Sequence, residues 1–318
     1  MQQFCRIMFL SLLLLLTVIL ANCQAVTRVS RGSAVKGLIS WPSMLSMDGK
    51  SVQELTTALS SAAPYVRLFA ADELGKRNDK SAIGPLKQAL SDSWPEVRLV
   101  AAKSLLALGD NSGVAILRNM VSATSAKLAT HAAAILAHIG DYSGIAVAKA
   151  HLNDKSSEVR GYALDAVAHS GDDDLAYSTL QAGLQDTDKY VRIKCIRFLG
   201  GRQNKRSVEL LAPIASSSDA RMRELAVRAI GWTHMWDGIP LLINALSDSD
   251  GGVHYTAGLW LERLTGQKKS FRSCLDENQN GLAQEWRDWW EANKQNYPSG
   301  QKSTAPDPTP PTGKHAVL

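Results

Sequence analysis

A unit of 31 or 32 residues repeats seven times along most of this chain. Each copy carries a hydrophobic anchor, a small residue four positions later and an aliphatic residue four positions after that. Because positions four apart share one face of a helix, these columns predict the buried side of a helix, and the small residues allow close packing between helices. The seven anchors are Val66, Val97, Leu128, Val159, Val191, Met222 and Val253.

A second set of hydrophobic columns precedes each anchor and predicts a shorter amphipathic helix. Each unit is therefore a helix–turn–helix, and seven units cover residues 52–266. Aspartates precede four of the second helices, where carboxylates cap free amides, and glycines follow three of them, where they end helices. They are Asp92, Asp154, Asp186 and Asp248, and Gly109, Gly140 and Gly171. One pair cannot bury its own apolar face, so stability should come from stacking.

An arginine follows the anchor in five copies, namely Arg67, Arg98, Arg160, Arg192 and Arg223. With an aspartate in the preceding turn, this pattern resembles the HEAT repeats of the phycobilin-lyase type. The resemblance covers about two thirds of the chain. It implies an all-α, right-handed α-solenoid of about seven HEAT-like helix pairs, but it is nearly silent on function. We expect the arginines to pair with aspartates of adjacent units, which is a structural role.

Two segments follow the repeats. Residues 267–296 contain a polar loop and a Trp-rich helix, and they resemble the closing segment of bacterial HEAT proteins. We expect the tryptophans to cap the apolar face of the last repeat, the alternative being an aromatic site that stacks a ligand. Residues 297–318 contain five of the eleven prolines, which predicts a disordered tail.

Residues 1–22 have the pattern of a secretory signal peptide. Arg6 is the only charge before a hydrophobic run over residues 7–20, which is shorter than the roughly 20 apolar residues of a membrane span. The run leads to Cys23 in a sequence that resembles the lipobox of bacterial lipoproteins, which implies that Cys23 is the lipid attachment residue. Plain cleavage near Ala25 and a retained anchor are the alternatives. Residues 23–51 would tether the array to the membrane.

The sequence contains no catalytic or metal-binding constellation, so we predict no catalytic residue, no metal and no cofactor. No His-Glu dipeptide occurs, which excludes the HEAT-repeat hydroxylases that bind two irons through such pairs. His138 and His169 share one column in successive units, but stacked helices lie about 10 Å apart, so we expect them not to share an ion. Cys195 lies in the small-residue column, where a buried and inert thiol is expected. Residues 276–281 match only the first half of a calcium-binding loop.

The remaining candidate site is the face of the second helices opposite their buried columns, which we call the second-helix surface. It comprises positions two, three, six and ten after each anchor, and we expect it to line the concave side of the solenoid. Residues 189–206 contain seven Lys or Arg and no acid, which indicates a groove for an acidic partner or, alternatively, a solvated face. The expected contact residues are Lys194, Arg197, Arg228, Trp232 and Tyr255.

Together these features predict an exported, lipid-anchored and non-catalytic scaffold of the bacterial cell envelope that binds another protein. A soluble periplasmic or secreted protein is the alternative location. The resemblance to phycobilin lyases leaves a chromophore- or small-ligand-handling function as the alternative activity. Nucleic-acid binding is less favoured, because a net charge of +5 is mild and an exported chain rarely meets a genome.

Overall fold

The computed structural model describes residue 47 and residues 49–268 and 279–303, and this part of the chain is almost entirely helical. Its fifteen α-helices form seven consecutive pairs and one further helix, α15 (Gln279–Asn293), which confirms the predicted all-α solenoid. The first helices are α1 (Val52–Ala58), α3 (Ile83–Ala89), α5 (Val114–Val121), α7 (Ile145–Ala150), α9 (Asp173–Gly183), α11 (Lys205–Leu211) and α13 (Ile239–Ala245). The second helices are α2 (Pro64–Lys76), α4 (Pro95–Ala107), α6 (Ala126–His138), α8 (Ser157–Ala168), α10 (Lys189–Gly201), α12 (Ala220–Trp232) and α14 (Gly251–Thr265).

The repeated columns form the interior of the stack. Each second helix packs against its own first helix and against the second helices of the neighbouring pairs. The small column is fully buried in all seven units: Ala70, Ala101, Ala132, Ala163, Cys195, Ala226 and Ala257. So is the aliphatic column: Leu74, Leu105, Leu136, Val167, Leu199, Ile230 and Leu261. Burying one such aliphatic side chain contributes about 1.5–3 kcal/mol, so the columns are a main source of stability.

Left-handed residues end six of the second helices, the last of them Gly266 after α14 with φ of 70°. Gly109, Gly140 and Gly171 follow α4, α6 and α8 with φ of 80°, 78° and 74°, as their place in the sequence predicts. Asn78 and His234 hold the equivalent positions after α2 and α12 with φ of 54° and 55°. Asparagine and histidine tolerate this region better than most residues, which is why a search for glycine alone misses these two ends.

The turn aspartates bind the backbone of the turn before the helix, and not the free amides of the helix as predicted. The Asp92 carboxylate accepts a hydrogen bond from Trp94 N at 2.8 Å, and Trp94 rather than Asp92 is the N-cap residue of α4. The same bond to the backbone two residues further on recurs at Asp154, Asp186 and Asp248. These carboxylates therefore close the turn before the helix and do not cap the helix itself.

Three of the five repeat arginines bridge two units. Arg160 Nε and Nη2 donate to Asp186 Oδ2 and Oδ1 at 2.8 and 2.7 Å, and Nη1 donates to Asp154 O at 2.8 Å. Each such arginine thus joins the turn of its own unit to the turn of the next, and the bidentate bond is among the stronger kinds. The equivalent pairs are Arg67–Asp92 and Arg223–Asp248.

The other two arginines, Arg98 and Arg192, lack this bridge. Each donates to backbone carbonyls of its own turn. Arg98 Nη1 donates to Asp92 O at 2.7 Å, and Arg192 Nη1 donates to Asp186 O at 2.6 Å. The next unit places Ala123 or Ser217 where the aspartate would stand. The arginine column therefore has a structural role, and it links two units only where the next unit supplies an aspartate.

Helix α15 closes the end of the array by packing against α13. Trp286 is 1% exposed and joins the core cluster that contains Ile239, Trp260 and Leu264. Trp289 and Trp290 are partly buried against the same cluster. This confirms that the Trp-rich helix covers the apolar face that the last repeat would otherwise expose to water.

The tail prediction is wrong for residues 297–303, which pack on the end of the array. The rings of Tyr297 and Trp236 lie 4.5 Å apart between centroids. Gln301 O accepts a hydrogen bond from Trp236 N at 3.2 Å, and Ser303 N donates to His234 O at 2.7 Å. Only one of the five tail prolines, Pro298, falls in this stretch, so its backbone amides remain available. Residues 304–318 lie outside the described part of the chain.

The N-terminal predictions also lie mostly outside the described residues, including the signal peptide, Cys23 and the tether up to residue 46. Met47 is buried in the core of the first pairs, and Ser51 caps α1 through a capping box with Glu54. The first helix of the array thus begins at Val52, and Met47 packs on the array from outside the repeats. Within the described residues, no helix combines the length and the apolar character needed to cross a membrane.

Candidate functional site

A cavity of about 500 Å³ opens on the second-helix surface in the middle of the array. Its walls come from α4, α6, α8 and α10, so four successive repeats build it. The lining residues are Lys103, Leu106, His131, Ala134, Ile135, His138, Ile139, Tyr162, Asp165, Tyr190, Ile193, Lys194 and Arg197. The volume lies within the roughly 300–1,000 Å³ that is usual for small-molecule sites.

One wall of the cavity is a stacked pair of rings. The His131 and Tyr162 rings lie 4.0 Å apart between centroids and 11° from parallel. Burial, together with the charges of Lys103 and Lys194, lowers the pKa of His131 to about 3. Burial also raises the pKa of Tyr162. Both rings are therefore neutral near pH 7 and present aromatic surface to the cavity.

Asp165 is the centre of a polar cluster on the same surface. It accepts hydrogen bonds from His138 Nε2 at 3.0 Å and Lys194 Nζ at 3.0 Å, and His169 Nδ1 lies 3.2 Å from its Oδ1. Burial alone would raise the pKa of Asp165, but the bonds from both imidazoles and the charge of Lys194 hold it well below the ordinary value. The carboxylate raises the pKa of His169 in turn.

His138 and His169 lie closer together than the expected helix spacing of about 10 Å implies. Their ring centroids are 3.9 Å apart, because the two side chains point toward each other across the gap between α6 and α8. His138, Asp165 and His169 can present ligand atoms that all lie within 4.8 Å of one another. Two imidazoles and a carboxylate suit zinc-like ions. However, the Lys194 ammonium is already bound to Asp165 and opposes a second cation there.

The structure divides the residues predicted to contact a partner into two groups. Lys194 and Arg197 line the cavity, whereas Arg228, Trp232 and Tyr255 lie on α12 and α14, beyond its lining. Trp232 and Tyr255 are exposed, and the Arg228 guanidinium is paired with Glu224.

Most of the positive charges in the basic segment 189–206 are paired in the folded structure. Six of its seven cations bind acids or backbone carbonyls: Lys189, Arg192, Lys194, Arg202, Lys205 and Arg206. Most of the acids come from neighbouring repeats, so a count within the segment misses them. Arg197 is the exception within the described part of the chain, since it is exposed, lines the cavity and makes no ion pair there.

Four side chains of the cavity are not among the predicted contact residues: His131, Tyr162, Asp165 and Tyr190. A usable signal was present, because aromatic or histidine side chains occupy the third or tenth position after the anchor in two successive units. Cys195 is buried as predicted, and burial raises the pKa of its thiol to about 12, which leaves no thiolate for nucleophilic chemistry.

The chain is similar to several solved structures at low sequence identity. No curated protein matches the sequence significantly. Among solved structures, the complex of CpcE and CpcF of phycocyanin lyase from Nostoc sp. PCC7120 is 19% identical, with 81% of this chain and 99% of that one covered and a TM-score of 0.46. The Escherichia coli protein YibA is 17% identical (75% and 93% covered, TM-score 0.45). Human deoxyhypusine hydroxylase is 21% identical (66% and 83% covered, TM-score 0.34).

A family profile for HEAT repeats matches residues 52–135 and 177–262, which together make up more than half of the chain. Both matched segments fall on helix pairs of the array, and they include every bridging arginine and aspartate except Arg160. The chain belongs to the HEAT-repeat family.

Proposed function

We propose that this chain is a non-catalytic scaffold that binds another protein through its second-helix surface. One observation carries the proposal: Trp232 of α12 and Tyr255 of α14 are 42% and 48% exposed on neighbouring second helices. Aromatic side chains of this kind supply much of the binding energy at protein interfaces, because they bury a large area at a low cost in conformational entropy. Tyr190 and Arg197 of α10 extend the same surface toward the cavity.

The reactive groups near this surface are engaged in structure, which supports a non-catalytic role. Asp165 is held by two imidazoles and an ammonium, so it is a poor general base. Cys195 is fully buried in the helix interface. A general acid, base or nucleophile needs an accessible group whose pKa lies near the working pH, and neither residue provides one.

Removing the exposed aromatics should weaken partner binding. We expect the double variant Trp232→Ala, Tyr255→Ala to bind the partner at least about tenfold more weakly, as is usual for interface anchors. The control is Trp94→Ala, Tyr142→Ala, which removes aromatics of similar exposure, 40% and 49%, from the turns. The measurement is quantitative co-purification from envelope extracts with the wild-type chain as reference. Equal capture by both variants would contradict the proposed surface.

The location is part of the same proposal: we place the scaffold outside the cytoplasmic membrane, anchored through Cys23. The lipobox-like sequence before Cys23 supports this placement. We expect the chain made in a bacterial host to fractionate with membranes and to carry the mass of a diacyl or triacyl group, and the Cys23→Ala variant to lose both. A soluble, unlipidated chain that starts near Gln24 or Val26 would instead show a free periplasmic or secreted protein.

A further inference from the structure

We propose that the cavity on α4, α6, α8 and α10 is a binding site for a small, flat organic anion, namely an aromatic ring that carries one carboxylate or sulfonate. The proposal does not rest on the scaffold function, because it concerns a ligand that enters the cavity itself. Trp232 and Tyr255, which carry the scaffold proposal, do not line this cavity.

The lining side chains of the cavity favour a ligand with a flat apolar ring system. His131 and Tyr162 stack face to face, with ring centroids 4.0 Å apart and planes 11° from parallel, and they form an aromatic part of the wall. Ile139 and Tyr190 are exposed cavity residues, with 44% and 53% of their surfaces in water. A ligand ring that packs against these side chains would remove them from water, and aromatic contacts add to the gain from buried area. The volume of about 500 Å³ accommodates a ligand of one to three rings.

The charges favour an anion. Three cations line the cavity (Lys103, Lys194 and Arg197), and Asp165 is the one acid among its lining residues. Asp165 is bound by Lys194 and by the two histidines, so it offers little attraction to a cation. The cavity therefore carries excess positive charge, and a carboxylate entering it is attracted, whereas a metal ion is repelled.

Arg197 is the group that would hold the anion. Lys194 is engaged with Asp165 Oδ2 and with Gly161 O at 3.0 and 2.9 Å. Lys103 Nζ lies 3.5 Å from Asp72 Oδ1, so the charge of Lys103 is partly neutralised. Arg197 is exposed, lines the cavity and has no ion pair within the described residues. Its planar guanidinium can bind a carboxylate or sulfonate through two parallel hydrogen bonds.

Two fluorescent probes that differ only in the anionic group test the proposal. Anilinonaphthalene sulfonate carries the sulfonate, and phenylnaphthylamine is the same ring system without it. Each is titrated into the purified chain without its signal peptide. We expect saturable binding of the anionic probe, weakened about tenfold by Arg197→Gln, the loss expected for one bidentate charge-assisted contact. Phenylnaphthylamine binding should be unchanged by this variant. Tyr162→Ala should weaken the binding of both probes, because it removes one of the two stacked rings of the wall.

The matched control is Arg228→Gln, which removes an arginine of the same surface that does not line the cavity. It should leave both probes unaffected, and thermal melts of all variants check that the fold is retained. If Arg197→Gln and Arg228→Gln weaken the binding of the anionic probe equally, the proposal is overturned. Non-saturable binding would also overturn it, and so would displacement of the probe by one equivalent of Zn²⁺, which would show that the cavity takes a cation. Because the assay needs no protein partner, its failure is distinct from failure of the scaffold proposal.

Discussion

Replacing Trp286 by alanine should lower the free energy of unfolding by about 3–5 kcal/mol, the usual cost of removing a buried aromatic side chain from a core. Trp286 is 1% exposed and packs in the same cluster as Trp260 and Leu264 of the last second helix. Its loss would create a cavity and would also loosen α15, which covers the end of the array. Solenoid repeats are stabilised by their neighbours, so the effect should be greatest in the last pair.

The measurement is urea unfolding of the wild type and the variant, followed by hydrogen exchange of the amides in α13 and α14. The control is Trp94→Ala, because Trp94 is 40% exposed in a turn and its removal should change stability by about 0.5 kcal/mol or less. We expect fast exchange in α13 and α14 of the Trp286 variant, with α4 and α6 unaffected. Equal destabilisation by the two substitutions would contradict the capping role of α15.

The substitution Asp186→Asn should lower the free energy of unfolding by about 1–3 kcal/mol, since it leaves Arg160 without its bidentate partner between two repeats. Their side chains are 12% and 14% exposed. The matched control is Asp154→Asn. Asp154 closes the same kind of turn, but Ala129 stands where its arginine partner would be. The Asp154→Asn substitution should therefore lower the free energy of unfolding clearly less than Asp186→Asn does.

This effect should depend on pH in a definite direction. The hydrogen bonds from Arg160 lower the pKa of Asp186 in the folded chain. The carboxylate then stabilises the fold at pH values above its unfolded pKa of about 3.9, and the contribution is lost as the pH falls through the lower folded pKa. Urea unfolding at neutral and strongly acidic pH measures this directly. The difference between wild type and Asp186→Asn should shrink in acid, and a constant difference would rule out the ion pair as its origin.

The fold could be predicted from the sequence because its determinants are local and repeated. Positions zero, four and eight after each anchor share a helix face in any α-helix, so the burial of Ala132 and Leu136 follows from their spacing alone. The glycines that end α4, α6 and α8 are equally local. Two further ends, at Asn78 and His234, use other residues for the same backbone conformation.

The candidate site could be predicted only in part, because it depends on how side chains cross between repeats. The distance between His138 and His169 is set by their side-chain directions rather than by the spacing of α6 and α8. The neutralisation of Lys194 likewise comes from an aspartate 29 residues earlier in the chain. Residues 297–303 pack partly through backbone hydrogen bonds, which their side-chain composition does not reveal.

The central claim, that a protein partner binds the second-helix surface, is tested most directly by site-specific photocrosslinking in living cells. A benzophenone side chain is placed at Trp232, at Tyr255 or, as a control, at Glu209, which is exposed on α11 in the same repeat as Trp232. We expect one and the same protein to be crosslinked from the first two positions and not from the control. Crosslinks of equal strength from Glu209, or from Glu209 alone, would contradict the proposed surface.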